Sequence, residues 1–96
     1  MIYFTMTRGL RGCYIPDDCY IIETRDLESF KKWVETECNT MEMERKDDET
    51  LEFAFHHIQN GDWREVCVAT DDTGGYGIMV SGASEDDYKA QTAEQD

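Results

Sequence analysis

The chain has 96 residues, with 22 Asp and Glu against 9 Lys and Arg, for a formal net charge of −13. That length bounds it to one domain. The charge excludes binding nucleic acid through its phosphates, which takes clustered Lys and Arg, and it opposes contact with an anionic membrane surface. Hydrophobic residues at 40%, with 11% aromatics, still supply one modest core, which a disordered acidic tail does not have.

In chain order, Ile2, Phe4 and Met6 alternate with Tyr3, Thr5 and Thr7, the period of a half-buried strand. Residues 9–12 carry Gly9 and Gly12 and read as a turn, after which Pro16 closes the short apolar run Cys13-Tyr14-Ile15. Residues 19–24 are rich in β-formers and predict a second strand. Asp26 is placed to cap a helix, and Leu27, Phe30, Val34 and Cys38 recur at spacings of three and four, with Trp33 and Met41 widening the stripe.

Residues 41–50 are strongly polar and either extend this helix or form a loop. Residues 51–58 fit two periods: Leu51, Ala54, Phe55 and Ile58 share a helix face, while Leu51, Phe53, Phe55 and His57 share a strand face. Asn60-Gly61 tips the choice toward a strand, because Asn-Gly between apolar runs is a strong hairpin signal, and residues 63–70 would be the return strand. Residues 71–75 predict a further turn, and Tyr76, Ile78 and Val80 alternate on a last strand. Ser84 either caps a short acidic helix or begins a polar tail. The expected order is ββαβββ, an α+β fold whose antiparallel sheet carries one main helix. A single domain over 1–83 would be followed by an acidic C-terminal tail or short helix over 84–96. No apolar run suits a signal peptide or a membrane span, so the expected location is the cytoplasm.

The cysteines Cys13, Cys19, Cys38 and Cys67 are expected to be reduced there. No two of them form a C-x-x-C pair. A zinc site built from them with His56 or His57 would lack the close ligand spacing of structural zinc, so no cofactor or metal is expected. Asp72-Thr73-Gly74 matches the triplet of aspartic proteases, but that chemistry takes two carboxylates sharing a proton, and here the triplet lies in a glycine-rich turn. Gly74-Gly75-Tyr76-Gly77 lacks the Lys-Ser/Thr of a phosphate-binding loop. His56-His57 beside Glu52 has no nucleophile at a recognisable spacing and, on a strand, would point to opposite faces. No catalytic residues are assigned, and the chain is not expected to be an enzyme.

The charge is segregated. Residues 1–25 hold as many bases as acids, so the whole excess falls in 26–96, and it is densest over 35–52, with eight acids against two bases. Glu35, Glu37, Glu42, Glu44, Asp47, Asp48 and Glu49, with Asp71 and Asp72 as a secondary contact, are the candidate partner-binding residues. Carboxylates about 5–7 Å apart on a helix or hairpin approach the spacing of phosphates along one DNA strand. A cationic groove built to track phosphates could accept such a surface instead.

Arg8-Gly9-Leu10-Arg11-Gly12-Cys13-Tyr14-Ile15-Pro16-Asp17 resembles the T-R-G-L-R-G-C-Y-M-P-D run near the N-terminus of small uncharacterised tailed-phage proteins, and Thr24-Arg25-Asp26-Leu27 stands where their helix begins. The likeness covers about the first third of the chain, and that family has no assigned activity to carry over. Phages encode many small acidic proteins that block host nucleases and restriction or CRISPR complexes. By analogy the resemblance implies an anti-CRISPR-type or anti-restriction inhibitor, a DNA mimic acting in the host cytoplasm. Its partner would be a host nucleic-acid-binding protein or CRISPR effector complex with a Lys/Arg-rich groove. The alternative is a non-enzymatic interaction module that uses Tyr and Trp, with the charge serving solubility.

Overall fold

The computed structural model describes residues 1–10 and 18–94. These form β1 (Ile2–Leu10), β2 (Asp18–Thr24), α1 (Leu27–Met41), β3 (Glu44–Arg45), α2 (Asp48–Gln59), β4 (Val66–Thr70), β5 (Tyr76–Gly82) and α3 (Glu85–Glu94). The fold is α+β, with one five-stranded antiparallel sheet in the order β2-β1-β5-β4-β3. The element order ββαβαββα replaces the expected ββαβββ.

The alternation read in β1 holds and extends further. Cross-strand partners share a face, so Phe4↔Ile22, Met6↔Tyr20 and Met6↔Val80 define one side of the sheet. Phe4 and Met6 are buried there, and Gly9 and Leu10 continue the strand instead of opening a turn. Arg11, Gly12 and the run Cys13-Tyr14-Ile15-Pro16 lie outside the described residues.

Asp26 caps α1 as its position suggests: its carboxylate accepts from the Ser29 N–H at 2.9 Å, and Phe30, Val34 and Cys38 turn inward. Phe30 and Trp33 meet Phe4 edge-on, with ring centroids 5.4 and 5.2 Å away.

The strand expected over 51–58 is a helix. Leu51, Ala54 and Ile58 follow the 3.6-residue period and are buried against the sheet in one cluster with Phe4, Phe30 and Val80. Asp47 caps its start, accepting from the Thr50 N–H at 2.9 Å. Asn60-Gly61 ends the helix instead of turning a hairpin. Gly61 takes φ +73°, its N–H reaches the Ile58 carbonyl at 3.0 Å, and the Asp62 N–H reaches His57 at 3.1 Å, the two bonds of a Schellman motif. Trp63 therefore lies in the α2–β4 connection, and the strand that follows begins only at Val66.

The 71–75 turn joins β4 to β5 as expected. A register shift between Cys67 and Ala69 lets the consecutive Val68 and Ala69 both be buried. Gly82 meets the α2–β4 connection closely: its N–H donates to the Asp62 carbonyl at 2.6 Å, and a Cβ there would collide with Gly61 backbone. Ser84 caps α3, accepting from the Asp87 N–H at 3.1 Å, so residues 85–94 are helix.

Candidate partner-binding surface

Most of the candidate acids gather around the β3 edge of the sheet, whereas Glu37, on α1, lies by Arg8 of β1. Glu42 ends α1, Glu44 lies on β3, and Asp47, Asp48 and Glu49 start α2. The pairing Glu44↔Thr70 brings the chain that leaves β4, at Asp71 and Asp72, alongside the approach to β3. The fold thus joins the secondary contact to the primary stretch across roughly thirty positions of sequence.

These carboxylates do not all face outward with their charge unspent. Arg45 takes two of them, reaching Asp48 at 2.8 Å and Glu35 at 3.6 Å, and so links α1, β3 and α2. The Asp48 hydrogen bond first, then burial and neighbouring carboxylates, decide the Arg45 balance, and its pKa rises. Glu37 lies 3.8 Å from Arg8. The Asp47 carboxylate is held below its ordinary pKa by the Thr50 cap. Asp71 organises the β4–β5 turn, accepting from the Thr73 hydroxyl at 2.8 Å and from the Thr73 and Tyr76 N–H groups at 3.1 and 3.4 Å. The Thr73 bond leads the causes that lower its pKa. Asp72-Thr73-Gly74 lies within that turn, where Gly74 has φ +74°.

Glu42, Glu44, Glu49 and Asp72 remain. All four are exposed, and among the described residues none has an ion-pair partner. They are the part of the candidate set whose charge is available to a partner.

A second exposed feature pairs Trp63, one of the aromatics expected to anchor an interaction surface, with Phe53, which the strand assignment of 51–58 hid. Placing 51–58 on a helix turns Phe53 away from the buried Leu51, Ala54 and Ile58, and it is 60% exposed. Trp63, in the following connection, is 79% exposed. Phe53 lines a shallow concavity with His56, His57, Asp62, Arg64 and Val66. His57 packs there with its Nε2 2.8 Å from the Arg64 carbonyl and 3.4 Å from Asp62, while His56 is exposed beside Asn60. They are adjacent on a helix, so the strand argument that set them on opposite faces does not apply. Bidentate bonding by Arg64, closest at 2.6 Å, drives the Asp62 carboxylate far below its usual pKa. The helical period was the available signal for Phe53; nothing in the sequence marked Trp63 as exposed.

Cys19 and Cys67 lie on the sheet face opposite Phe4 and Val80, paired with Thr7 and Met79, whereas Cys38 is buried under α1. Among the described residues no three His, Cys, Asp or Glu side chains are grouped to hold a metal, and no helix is long and apolar enough to cross a membrane. No family model, curated protein or solved structure matches the chain.

Proposed function

We propose that this protein is a non-catalytic inhibitor that occupies the Lys/Arg-lined groove of a host nucleic-acid-handling protein, presenting the β3 edge in place of phosphates. The supporting observation is the set Glu42, Glu44, Glu49 and Asp72, exposed around one sheet edge of a −13 chain and without ion-pair partners among the described residues. Attraction between such an edge and a cationic groove speeds encounter and weakens with salt, since the screening length falls to about 8 Å at physiological ionic strength. The N-terminal run's likeness to phage proteins favours a restriction or CRISPR effector as the target. Capture from host lysate at low salt tests this: proteins held by the wild type are expected to elute with duplex DNA and to be lost by a Glu42→Gln, Glu44→Gln, Glu49→Gln, Asp72→Asn variant.

Trp63 and Phe53 favour a second reading, an aromatic interaction surface for which the charge serves solubility. Capture that resists salt and duplex DNA but fails on Trp63→Ala or Phe53→Ala would select it.

A further inference from the structure

β2 is a sheet edge, and α3 lies against it. The Ile21 N–H donates to Gln91 Oε1 at 2.8 Å, and the Ile21 carbonyl accepts from Gln91 Nε2 at 3.0 Å. Both backbone groups of Ile21 therefore point away from β1. In an antiparallel ladder such outward pairs recur at every second residue, so Cys19 and Glu23 present theirs along the same edge. A primary amide that gives one donor and one acceptor to a single residue supplies what a residue of a neighbouring strand would. Gln91 stands in for one residue of a further strand.

The hold of α3 is slight. From Glu85 to Ala93 only Tyr88 and Gln91, one turn apart, are partly buried. Tyr88 rests on Tyr3 with ring centroids 5.1 Å apart. A helix of this length is marginal alone, and its first turn carries Glu85, Asp86 and Asp87. Glu85 and the edge residue Glu23 both lie close enough to Tyr3 to raise its pKa, after desolvation. Lys89 lies there too and pairs with Glu85 at 3.3 Å, whereas Glu23 has no ion-pair partner among the described residues.

We propose that the outer edge of β2 is a docking site for an extended, Lys- or Arg-bearing segment of a partner protein, which adds as a strand and displaces α3. The backbone ladder supplies affinity, and side chains facing Glu23 supply selectivity. A cationic segment supplies Glu23 with a counter-charge on a −13 chain, and the displaced helix, with Glu85, Asp86 and Asp87 in its first turn, stays tethered beside it as an acidic flank. A second copy of the chain is opposed by its own charge. The site lies at the opposite end of the sheet from β3 and stands independently of the acidic-edge reading.

The test uses the full chain and a labelled peptide, Thr-Lys-Val-Thr-Lys-Val-Thr, with two controls: the same peptide N-methylated at alternate amides, and its Lys-to-Glu counterpart. Tyr88→Ser and Gln91→Glu loosen α3, the latter by setting a carboxylate against the Ile21 carbonyl. Apparent affinity scales with the undocked fraction, so each variant is expected to bind the peptide about tenfold or more tightly than the wild type. Amide exchange at Cys19, Ile21 and Glu23 should slow on binding, while the amides of Phe4 and Val80 stay protected in every variant. Gln91→Ala repeats the measurement should either variant lose that protection. The proposal is overturned by N-methylated or Glu-bearing peptide binding equally well, by protection arising at β3 instead of β2, by unchanged affinity in the loosened variants, or by their dimerisation through β2.

Discussion

Glu42 holds φ 56° and ψ 43°, a left-handed conformation that costs a residue with a Cβ about 1–2 kcal/mol. The turn persists because the N–H groups of Glu42 and Met43 both reach the Cys38 carbonyl and Met43 drops into the core. Glycine at this position removes the strain but adds unfolded-state entropy, so Glu42→Gly is expected to stabilise by about 0.5–1 kcal/mol in chemical denaturation. The same change deletes an exposed carboxylate and is expected to weaken capture of a basic partner. Stability and binding moving in opposite directions separates this residue's two roles; a parallel fall would assign it to the fold alone. Arg45→Gln makes the complementary case. It releases Glu35 and Asp48, so binding to a cationic groove should hold or tighten while Tm falls only slightly, since exposed pairs contribute little. Weaker binding by this variant would mean that Arg45 itself meets the partner.

Among the elements, α1 was legible because its cap and stripe agree: Asp26, then Phe30, Val34 and Cys38. The α2 segment carries two consistent patterns, and Asn60-Gly61 favours the strand that the structure replaces with a helix. A glycine at positive φ serves a hairpin turn and a Schellman motif alike, and only the burial of Leu51, Ala54 and Ile58 against the sheet decides between them. β3 has just two residues, too few for any period. The acidic stretch was legible from composition, but not which acids are spent. Arg45 reaches Glu35 across ten positions of sequence, a tertiary contact that no local pattern reports. Asp47 illustrates the consequence. Asn caps a helix as well as Asp does, so Asp47→Asn should leave Tm nearly unchanged while Asp47→Ala lowers it by several degrees. Both remove the same charge and should bind a partner equally; unequal binding would mean that the cap, not the charge, is what the partner senses.

For the whole molecule, the balance of carboxylates sets the response to acid. Asp26, Asp47, Asp48, Asp62 and Asp71 all have pKa values lowered in the fold, chiefly by hydrogen bonds from Ser29, Thr50, Arg45, Arg64 and Thr73. A lowered folded pKa means that their contribution is complete above the unfolded value, near pH 4, and is lost as pH falls through the folded values. Protonation of the excess acids over the same range relieves self-repulsion and works the other way. Thermal melts between about pH 5 and about pH 2 are expected to show a falling Tm, with a shallower fall in an Asp62→Asn, Asp71→Asn variant. An equally steep fall in that variant would place the acid sensitivity elsewhere.

Under the proposed function, exposed charge at the β3 edge drives recognition of a cationic groove. The most direct measurement is the affinity of a captured, purified partner across a salt series, for the wild type and for the Glu42→Gln, Glu44→Gln, Glu49→Gln, Asp72→Asn variant. The wild type should lose affinity steeply between about 50 and 200 mM salt, and the variant should bind weakly throughout with a much flatter slope. Equal affinities and equal slopes for the two proteins would contradict that function.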